Sequence, residues 1–415
     1  MDFKLIFDKN MANSSILRDL TPIVQKQLKN DEVILIIGAR QAGKTTVLRQ
    51  LEDIIKTQNF ACYFLNLEDP EYLTLLNESP KNLFKIFSFD LKQKSFVLID
   101  EIQYLKDPTN FLKYFYDEYQ QSIKIIATGS SAFYLDRKFK DSLAGRKKIF
   151  TLQTLSFREF LRFKDEEELS KKDLEKLSLA EREKVIFNYQ EYLIYGGYPK
   201  VVLAPLTEKE EVLKDLAYSY IKKDIFEANL KQEEVFFKLL KIIASQIGNL
   251  VNAAELASTL DVSRTAVDDY LFLMQKSFHI GLIKPFYKNL RKEITKMPKA
   301  YFMDLGLRNF LLKDFKPFAG RQDNGQILEN VMYKELLKSY ELEDIKFWRT
   351  IQKQEIDFVA DGKFAYEVKV NPKSFKPGNY KTFAASYPQV KFFIVSFDSQ
   401  DKVIVNIPVI EVWQV

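Results

Sequence analysis

The stretch that most restricts the fold of this chain is VILIIGARQAGKTTVLRQL, residues 33–51. It contains the pattern G-x-x-x-x-G-K-S/T from Gly38 to Thr45, after an apolar run and before a helical pattern. Gly38 and Gly43 permit a tight loop whose backbone N–H groups point at phosphate oxygens, and the positive end of the following helix adds to the same site. A buried strand, a phosphate-binding loop and a helix are therefore expected here.

The residues predicted to bind ATP form this loop and the start of its helix: Gly38, Ala39, Arg40, Gln41, Ala42, Gly43, Lys44, Thr45 and Thr46. Lys44 is expected at the β- and γ-phosphates, and the Thr45 hydroxyl at Mg²⁺.

A second apolar run, SFVLIDEIQ, ends in two acids, Asp100 and Glu101. Two acids at the end of a buried strand are costly unless they bind something. Asp100 is expected to hold Mg²⁺ through water, and Glu101 to orient or deprotonate the water that attacks the γ-phosphate. Together with the loop, these acids predict ATP hydrolysis.

Two further segments carry polar candidates for the same site. IKIIATGSSAF ends in the hydroxyls of Thr128, Ser130 and Ser131, and Ser130 either senses the γ-phosphate between the two motif strands or caps the next helix. SLAGRKKIF offers Arg146, which is either an arginine finger that reaches the nucleotide of a neighbouring subunit or a solvated arginine.

The distribution of apolar runs along the chain predicts several domains. Short runs alternate with helical stretches up to about residue 160, which indicates βαβ units and a parallel sheet with helices on both faces. The charged stretch 164–190 predicts a solvated helical connection or lid. A helix-turn-helix pattern follows, with Asn252 and Ser263 as helix caps. A further small α/β unit begins at about residue 320.

The strings GARQAGKTT, LIDEIQ, TGSSAFYL, SLAGR, LSFREF and YGGYP, followed by YIKKDI and MPKAYFMDLGLRN, resemble a prokaryotic family of AAA-type ATPases. The C-terminal half of that family is described as a domain of unknown function. The resemblance covers nearly the whole chain and implies a multidomain α/β fold. We expect an AAA-type ATPase domain (1–160), a helical connection or lid (161–230), a winged-helix-like domain (231–315) and a nuclease-like domain (316–415).

The helix-turn-helix pattern resembles a winged helix, which suggests DNA binding through the second helix. That helix, SRTAVDDYLFLMQK, carries Asp268 and Asp269 near its middle and Arg264 near its start. Acids on a recognition helix are repelled by phosphate unless they turn away from it. A structural lid is the alternative for this segment.

EIDFVADGKFAYEVKV resembles the core of PD-(D/E)XK nucleases. The resemblance implies that Asp357 and Glu367 bind Mg²⁺ and that Lys369 stabilises the nucleophile or the phosphorane charge. It also implies that Glu329, on an upstream helix, assists them.

The register of this hairpin decides whether the nuclease-like site can form, because side chains alternate between faces of a strand. A two-residue turn puts Glu367 on the face opposite to Asp357. A three-residue loop, 361–363, pairs Asp357 with Glu367 and Glu355 with Lys369. It also places Ile356, Phe358, Ala360, Phe364, Tyr366 and Val368 together on an apolar face. We predict the three-residue loop; the alternative to a nuclease-like site is a hairpin in which Lys369 neutralises Glu355 and Glu367.

Composition limits the remaining function classes. No apolar run approaches the roughly 18 to 20 residues that span a bilayer, and the N-terminus lacks the pattern of a secretory signal, so no membrane partner is expected. One cysteine fits a reducing cytoplasm, and one histidine excludes a multi-histidine metal site. A net charge of +5 is compatible with nucleic acid as a partner.

Two functional hypotheses follow. In the first, an ATP-hydrolysing homo-oligomer couples its nucleotide state to a DNA-directed, Mg²⁺-dependent nuclease module. In the second, ATP controls a switch or scaffold whose nuclease-like domain binds nucleic acid or protein without cleaving it. A monomeric nucleotide binder is a third possibility.

Overall fold

The computed structural model describes residues 16–130, 143–228, 230, 232–287, 293, 296–399 and 401–415. The chain forms two compact units. The first unit contains the chain through Thr154 together with Lys276–Phe278, and the second contains Leu155–Gln275 and His279–Val415.

The first unit is an α/β structure. Its strands are β1 (Val33–Gly38), β2 (Ala61–Asn66), β3 (Ser95–Asp100), β4 (Ile123–Gly129) and β5 (Lys147–Leu152). Its helices are α1 (Leu20–Gln25), α2 (Lys44–Thr57), α3 (Pro70–Glu78), α4 (Leu83–Ile86) and α5 (Pro108–Tyr119).

The strands of the first unit form a parallel sheet in the order β2-β3-β4-β1-β5, which confirms the predicted parallel α/β sheet. Every residue of β3 and β4 is buried, so both faces of the sheet are covered. On one face, the core cluster includes Val97 and Ile125 of the sheet and Phe111 and Phe115 of α5. Strand β4 lies between β1 and β3, so the two strands that carry the nucleotide motifs are not neighbours.

The second unit is mostly helical before residue 280 and mostly sheet after it. Its helices are α6 (Phe157–Phe163), α7 (Glu167–Lys171), α8 (Leu179–Tyr195), α9 (Pro199–Leu203), α10 (Lys209–Glu227), α11 (Glu233–Ser245), α12 (Ala253–Leu260), α13 (Arg264–Lys276), α14 (Leu305–Leu312), α15 (Asn324–Leu336) and α16 (Pro377–Ser386). Its strands are β6 (Ile280–Pro285), β7 (Lys299–Phe302), β8 (Ile345–Arg349), β9 (Glu355–Ala360), β10 (Phe364–Val368), β11 (Lys391–Ser396), β12 (Val403–Ile404) and β13 (Ile407–Glu411).

These strands form a single mixed sheet in the order β12-β13-β11-β10-β9-β8-β6-β7. Strand β6 pairs in parallel with β8, so the sheet continues across the predicted boundary at residues 315 and 316. The strands that we assigned to a separate winged-helix domain thus share a sheet with the predicted nuclease-like domain. The winged helix and the four-domain division remain predictions.

The charged stretch 164–190 is less solvated than expected. Helix α8 exposes Leu179 and Phe187, but it buries Val185 and Tyr189 in the large core of the second unit, and Tyr192 just beyond the stretch is buried there as well. Because this helix contributes several side chains to that core, the segment is an integral part of its unit.

The two helices of the helix-turn-helix pattern are α12 and α13. The side chain of Asn252 accepts hydrogen bonds from the N–H groups of Ala254 and Glu255, and Ser263 accepts one from Ala266, as their capping roles require. The exposed side of α13 carries Asp268 and Asp269.

Asp268 forms an ion pair of 3.6 Å with Arg264 on this exposed side. The surface that would enter a DNA groove is therefore not basic. In the part of the chain that the structure describes, no helix is both long and apolar enough to cross a membrane.

Candidate functional site

The phosphate-binding loop begins where β1 ends and closes at the start of α2. The backbone of Gln41 and Gly43 has φ angles of 56° and 99°. A Cβ atom on Gly38 would lie 2.1 Å from the carbonyl oxygen of Leu152 in β5, so only glycine fits there. The loop is thus pressed against the end of a neighbouring strand.

Lys44 lies inside the loop. Its side chain is buried, and its Nζ donates hydrogen bonds to the carbonyl oxygens of Gly38 at 3.1 Å and Ala39 at 3.0 Å. These bonds hold an ammonium group where the first N–H groups of α2 converge. The combination suits a bound phosphate chain.

The ends of β3 and β4 bring three polar side chains to this loop. The Thr45 hydroxyl donates to Oδ2 of Asp100 at 2.7 Å. The Thr128 hydroxyl, at the end of β4, donates to Oδ1 of the same carboxylate and accepts a hydrogen bond from the Glu101 N–H at 3.0 Å. Thr128 therefore ties Asp100 and Glu101 to the middle strand.

The donor set at this point fits Mg²⁺. A threonine hydroxyl and a carboxylate are hard oxygen ligands, and Mg²⁺ is usually held by one or two protein oxygens together with water and substrate phosphates. Thr45 and Asp100 already contact each other, so they are placed to share one ion. These are the two residues that the sequence assigned to Mg²⁺ at the nucleotide.

Glu101 is held by a residue that the sequence analysis did not single out. The side-chain amide of Gln103 donates both to the Glu101 carboxylate and to the Ser130 hydroxyl, the second bond being 2.9 Å long. Gln103 and Ser130 are buried. Ser130 thus lies next to the catalytic candidate, as a sensor would, whereas Ser131 is outside the described residues. The signal for Gln103 is its place at the end of the run LIDEIQ, two residues after Glu101.

A second residue that the sequence analysis missed supports the loop from behind. Arg18 is 1% exposed. Its guanidinium donates to the carbonyl oxygen of Ala42 in the loop and, at 2.9 Å, to that of Gln153 after β5. An arginine that precedes a short helix gives no sequence signal for this role, because the contact depends on the tertiary fold.

Arg146 forms an ion pair with Asp117 of the same unit, with 2.7 Å between Nε and Oδ1. About a third of each side chain is exposed. Its proposed role at a neighbouring subunit remains a prediction.

The β9–β10 hairpin has the predicted three-residue loop. Phe364 pairs with Ala360, Ala365 with Val359, and Tyr366 with Phe358. Backbone pairing does not continue further, so the ladder contains neither the expected pair of Asp357 and Glu367 nor that of Glu355 and Lys369.

The apolar face of the hairpin differs from the prediction at one residue. Phe358, Ala360, Tyr366 and Val368 lie in the large core of the second unit, with Phe364 packed against it, whereas Ile356 lies in a second core cluster. A register shift between β8 and β9 explains the difference, because it reverses the alternation of side chains within β9.

Two of the predicted nuclease-like residues form an ion pair. Nζ of Lys369 lies 2.7 Å from Oε1 of Glu367, whose second oxygen has no hydrogen-bond partner among the described residues. Asp357 instead accepts a hydrogen bond from the Val368 N–H at 2.8 Å. Burial and the negative charge of Asp357 raise the pKa of Glu367 to about 8, although Lys369 opposes this.

Glu329 contacts two residues of β7 that the sequence analysis did not identify. Nζ of Lys299 lies 3.1 Å from Oε1 of Glu329 and 2.5 Å from Oε1 of Glu355, and the Tyr301 hydroxyl donates to Glu329. Glu355 also pairs with Arg349 at 2.7 Å. Lys299 therefore takes the place of Lys369 as the partner of Glu355.

The pKa values of these groups follow from burial and from their mutual charges. Burial raises the pKa of Glu329 to about 7, although Lys299 opposes this. Burial would lower the pKa of Lys299, but Glu329, Asp357 and Glu355 raise it above its ordinary value. Lys299 is therefore a charged ammonium in an almost solvent-free position.

We call the set Lys299, Tyr301, Glu329, Glu355, Asp357, Glu367 and Lys369 the ion-paired cluster. In the described part of the chain, no group of three or more His, Cys, Asp or Glu residues is arranged to hold a metal ion. Of the two predicted metal ligands, Glu367 is paired with Lys369, and Asp357 accepts a hydrogen bond from the Val368 N–H.

The fold and the site of the first unit define its class. Residues 30–161 match the family model of the AAA domain. A P-loop with its lysine and threonine, two acids on a second strand and a polar strand between them lie within that range. This part of the chain is a P-loop ATPase domain of the AAA type.

Two later segments of the chain match domains of unknown function, DUF8612 over residues 186–317 and DUF4143 over residues 324–414. A protein of Haemophilus influenzae is 28% identical over 346 residues, which cover 80% of this chain and 81% of that protein. One of Methanocaldococcus jannaschii is 25% identical over 379 residues, which cover 88% and 80%. Both carry the name uncharacterized protein.

Two solved structures align with the chain at low TM-scores. The ORC2 protein of Aeropyrum pernix is 12% identical with a TM-score of 0.39, over 71% of this chain and 92% of that one. AMPPCP-bound DnaA from Aquifex aeolicus is 14% identical with a TM-score of 0.30, over 63% and 89%.

Proposed function

We propose that the chain hydrolyses ATP at the loop between β1 and α2 and that its nucleotide state controls the second unit. The observation that carries the proposal is the contact between Thr45 and Asp100, with Glu101 beside it. It brings a phosphate-binding loop, a metal-ligand pair and a general-base candidate to one edge of the sheet.

In this reaction, Lys44 binds the β- and γ-phosphates. Thr45 and Asp100 would hold Mg²⁺, which would supply positive charge to the phosphate oxygens. Glu101 orients a water molecule in line with the γ-phosphorus and accepts its proton. The new bond joins the water oxygen to phosphorus, and the bond between the γ-phosphorus and the bridging oxygen breaks, so ADP leaves with the electron pair. Gln103 positions the Glu101 carboxylate.

For the second unit, the contacts of Lys299 favour a nuclease-like module that binds its partner without cleaving it. The lysine engages Glu329 and Glu355, and Lys369 engages Oε1 of Glu367. We propose DNA as that partner. The lysines that follow the hairpin, Lys373, Lys376 and Lys381, are exposed and can meet phosphate.

Mg²⁺-dependent phosphodiester hydrolysis is the second candidate for this unit. Two features favour it: the three-residue loop of the hairpin, and Oε2 of Glu367, which has no hydrogen-bond partner among the residues that the structure describes. Both are needed for a carboxylate pair that faces a metal ion.

Four variants separate these functions. Glu101→Gln should bind ATP but lose about 10²-fold or more in phosphate release, since it keeps the shape of the base and removes its basicity. Lys44→Ala should lose both ATP binding and phosphate release. The other two variants are Asp357→Ala and Lys369→Ala. Wild-type protein and all four variants are then incubated with duplex, single-stranded and branched DNA in Mg²⁺ or Mn²⁺, and DNA cleavage is measured.

If Glu101→Gln hydrolysed ATP at the wild-type rate, the result would contradict the proposed ATPase mechanism. Cleavage of any DNA that is lost in Asp357→Ala and Lys369→Ala, while ATP hydrolysis continues, would establish the second candidate instead of the binding module. A mass measurement with and without ATP distinguishes the proposed homo-oligomer from a monomeric nucleotide binder.

A further inference from the structure

Lys299 is a buried lysine at the centre of the ion-paired cluster. It lies in β7 and is 1% exposed, although lysine is almost never fully buried unless it is paired. Its Nζ reaches Glu329 on α15 and Glu355 on β9, a helix and a strand that both follow β7 in the chain. The ammonium group is therefore surrounded by carboxylates of the ion-paired cluster.

The oxygens around Lys299 are those that a divalent cation would need. Oε1 of Glu329 accepts hydrogen bonds from both Lys299 and Tyr301, and Oε1 of Glu355 lies against the same ammonium. Asp357 is close enough to raise the pKa of Lys299. A metal ion in this position would be repelled by the ammonium and would have to displace two close contacts.

Most of the other charged groups of the cluster also lie against a group of opposite charge. Its four carboxylates, Glu329, Glu355, Asp357 and Glu367, face two lysines, and Arg349 pairs with Glu355 from outside the cluster. Oε2 of Glu367, which is 6% exposed, is the buried carboxylate oxygen of the cluster that lacks a partner in the described part of the chain. A divalent cation placed among these groups would lie beside the positive charge that Lys299 already holds against Glu329 and Glu355.

We propose that Lys299 is a built-in cation that takes the place of a metal ion in the nuclease-like site. Its ammonium holds Glu329 and Glu355 together and keeps Mg²⁺ and Mn²⁺ out. The inference rests on the proposed nuclease-like character of the second unit and explains why that unit would bind DNA without cleaving it. Removal of this one charge converts the cluster into a metal site.

The test measures the binding of Mn²⁺ to the full chain without nucleotide. The two methods are calorimetry and electron paramagnetic resonance of the free Mn²⁺. Wild-type protein is compared with Lys299→Met and with Lys299→Met/Asp357→Asn. Methionine keeps the length and the apolar stem of lysine and removes its charge. We expect Lys299→Met to gain one Mn²⁺ site per chain that the second substitution abolishes, and wild-type protein to lack an Asp357-dependent site.

Lys209→Met is the matched control, because Lys209 is also 1% exposed and pairs with Glu191 at 3.3 Å, outside the cluster. It should gain no Mn²⁺ site. A site that appears in both lysine variants and that Asp357→Asn does not remove would overturn the inference. So would folded Lys299→Met protein that binds no additional Mn²⁺.

A measurement on the wild-type protein decides the question if Lys299→Met does not fold. The ammonium group of Lys299 is observed by NMR after ¹⁵N-lysine labelling, with Lys299→Arg used for assignment. We expect its signal to persist in the presence of Mn²⁺, whereas paramagnetic broadening that Asp357→Asn prevents would show a metal ion beside it. ATP hydrolysis is measured on the same preparations, so failure of this inference and failure of the proposed ATPase are separate results.

Discussion

Thr128→Val tests whether one hydroxyl organises the acidic end of the nucleotide site. Valine has nearly the shape of threonine but cannot form either of the two hydrogen bonds that Thr128 makes. Loss of the bond to the buried Asp100 carboxylate costs about 1.5–3 kcal/mol, and the Glu101 N–H loses its partner at a cost of about 1 kcal/mol or more. The first unit should therefore be destabilised by about 3 kcal/mol.

The chain provides its own reference in this experiment, because its two tryptophans, Trp348 and Trp413, both lie in the second unit. Urea unfolding is followed by tryptophan fluorescence for the second unit and by far-ultraviolet circular dichroism for both. With an m-value of about 2–3 kcal/mol/M, the transition of the first unit should move down by about 1 M, and the fluorescence transition should stay in place.

Thr128→Ser is the control, because serine keeps the hydroxyl. Its first-unit transition should lie near that of the wild type, and its ATP hydrolysis should persist, whereas Thr128→Val should hydrolyse ATP more slowly because Asp100 and Glu101 are less firmly held. Equal transitions for Thr128→Val and Thr128→Ser would refute the assignment of these bonds. A shift of the fluorescence transition of the same size would show that the substitution does not act locally.

Three further predictions concern other parts of the two sites. If Arg146 acts at a neighbouring subunit, Arg146→Ala and Lys44→Ala are each inactive in ATP hydrolysis, and mixing them restores part of the activity; no recovery in a mixed oligomer would contradict a role in trans. The pKa of Glu367 is raised above its unfolded value, so the carboxyl contributes stability below about pH 4.5 that is lost as the pH rises through about 8. In Glu367→Gln, the urea transition followed by fluorescence should therefore depend less on pH between these values. An unchanged pH dependence would show that Glu367 is not the group involved. Gly38→Ala should weaken ATP binding and destabilise the first unit, because the new Cβ meets a backbone carbonyl oxygen at 2.1 Å, whereas Gly320→Ala has open space and should behave as wild type; nucleotide titrations that do not distinguish the two variants would contradict this.

The nucleotide site could be predicted in detail from the sequence because its determinants are local. The loop, its lysine and its threonine are consecutive, and the two acids follow one apolar run. Parallel strands bring their carboxyl ends to one edge, so the meeting of Thr45 and Asp100 follows from the βαβ pattern. Gln103 and Arg18 could not be found in this way, because their partners are defined only by the folded backbone.

The second unit shows the opposite case. The loop of the β9–β10 hairpin was predicted correctly, because alternation and a glycine fix it within a few residues. Ile356 was placed on the wrong face because the register shift arises from pairing with β8. The sequence around Lys299 does not indicate that this lysine is buried. Its pairing with Glu329 and Glu355 depends on contacts that only the folded chain defines.

The large core of the second unit has a consequence for synthesis on the ribosome. It contains both Leu155 and Trp413, whereas all strands of the first unit precede Thr154. At about 5–20 residues per second, the interval between these two core residues takes on the order of 10–50 s to translate. The first unit can fold during this time, whereas the core of the second unit remains incomplete until Trp413 has been synthesised. The growing chain is thus exposed to chaperones and proteases mainly through its second unit.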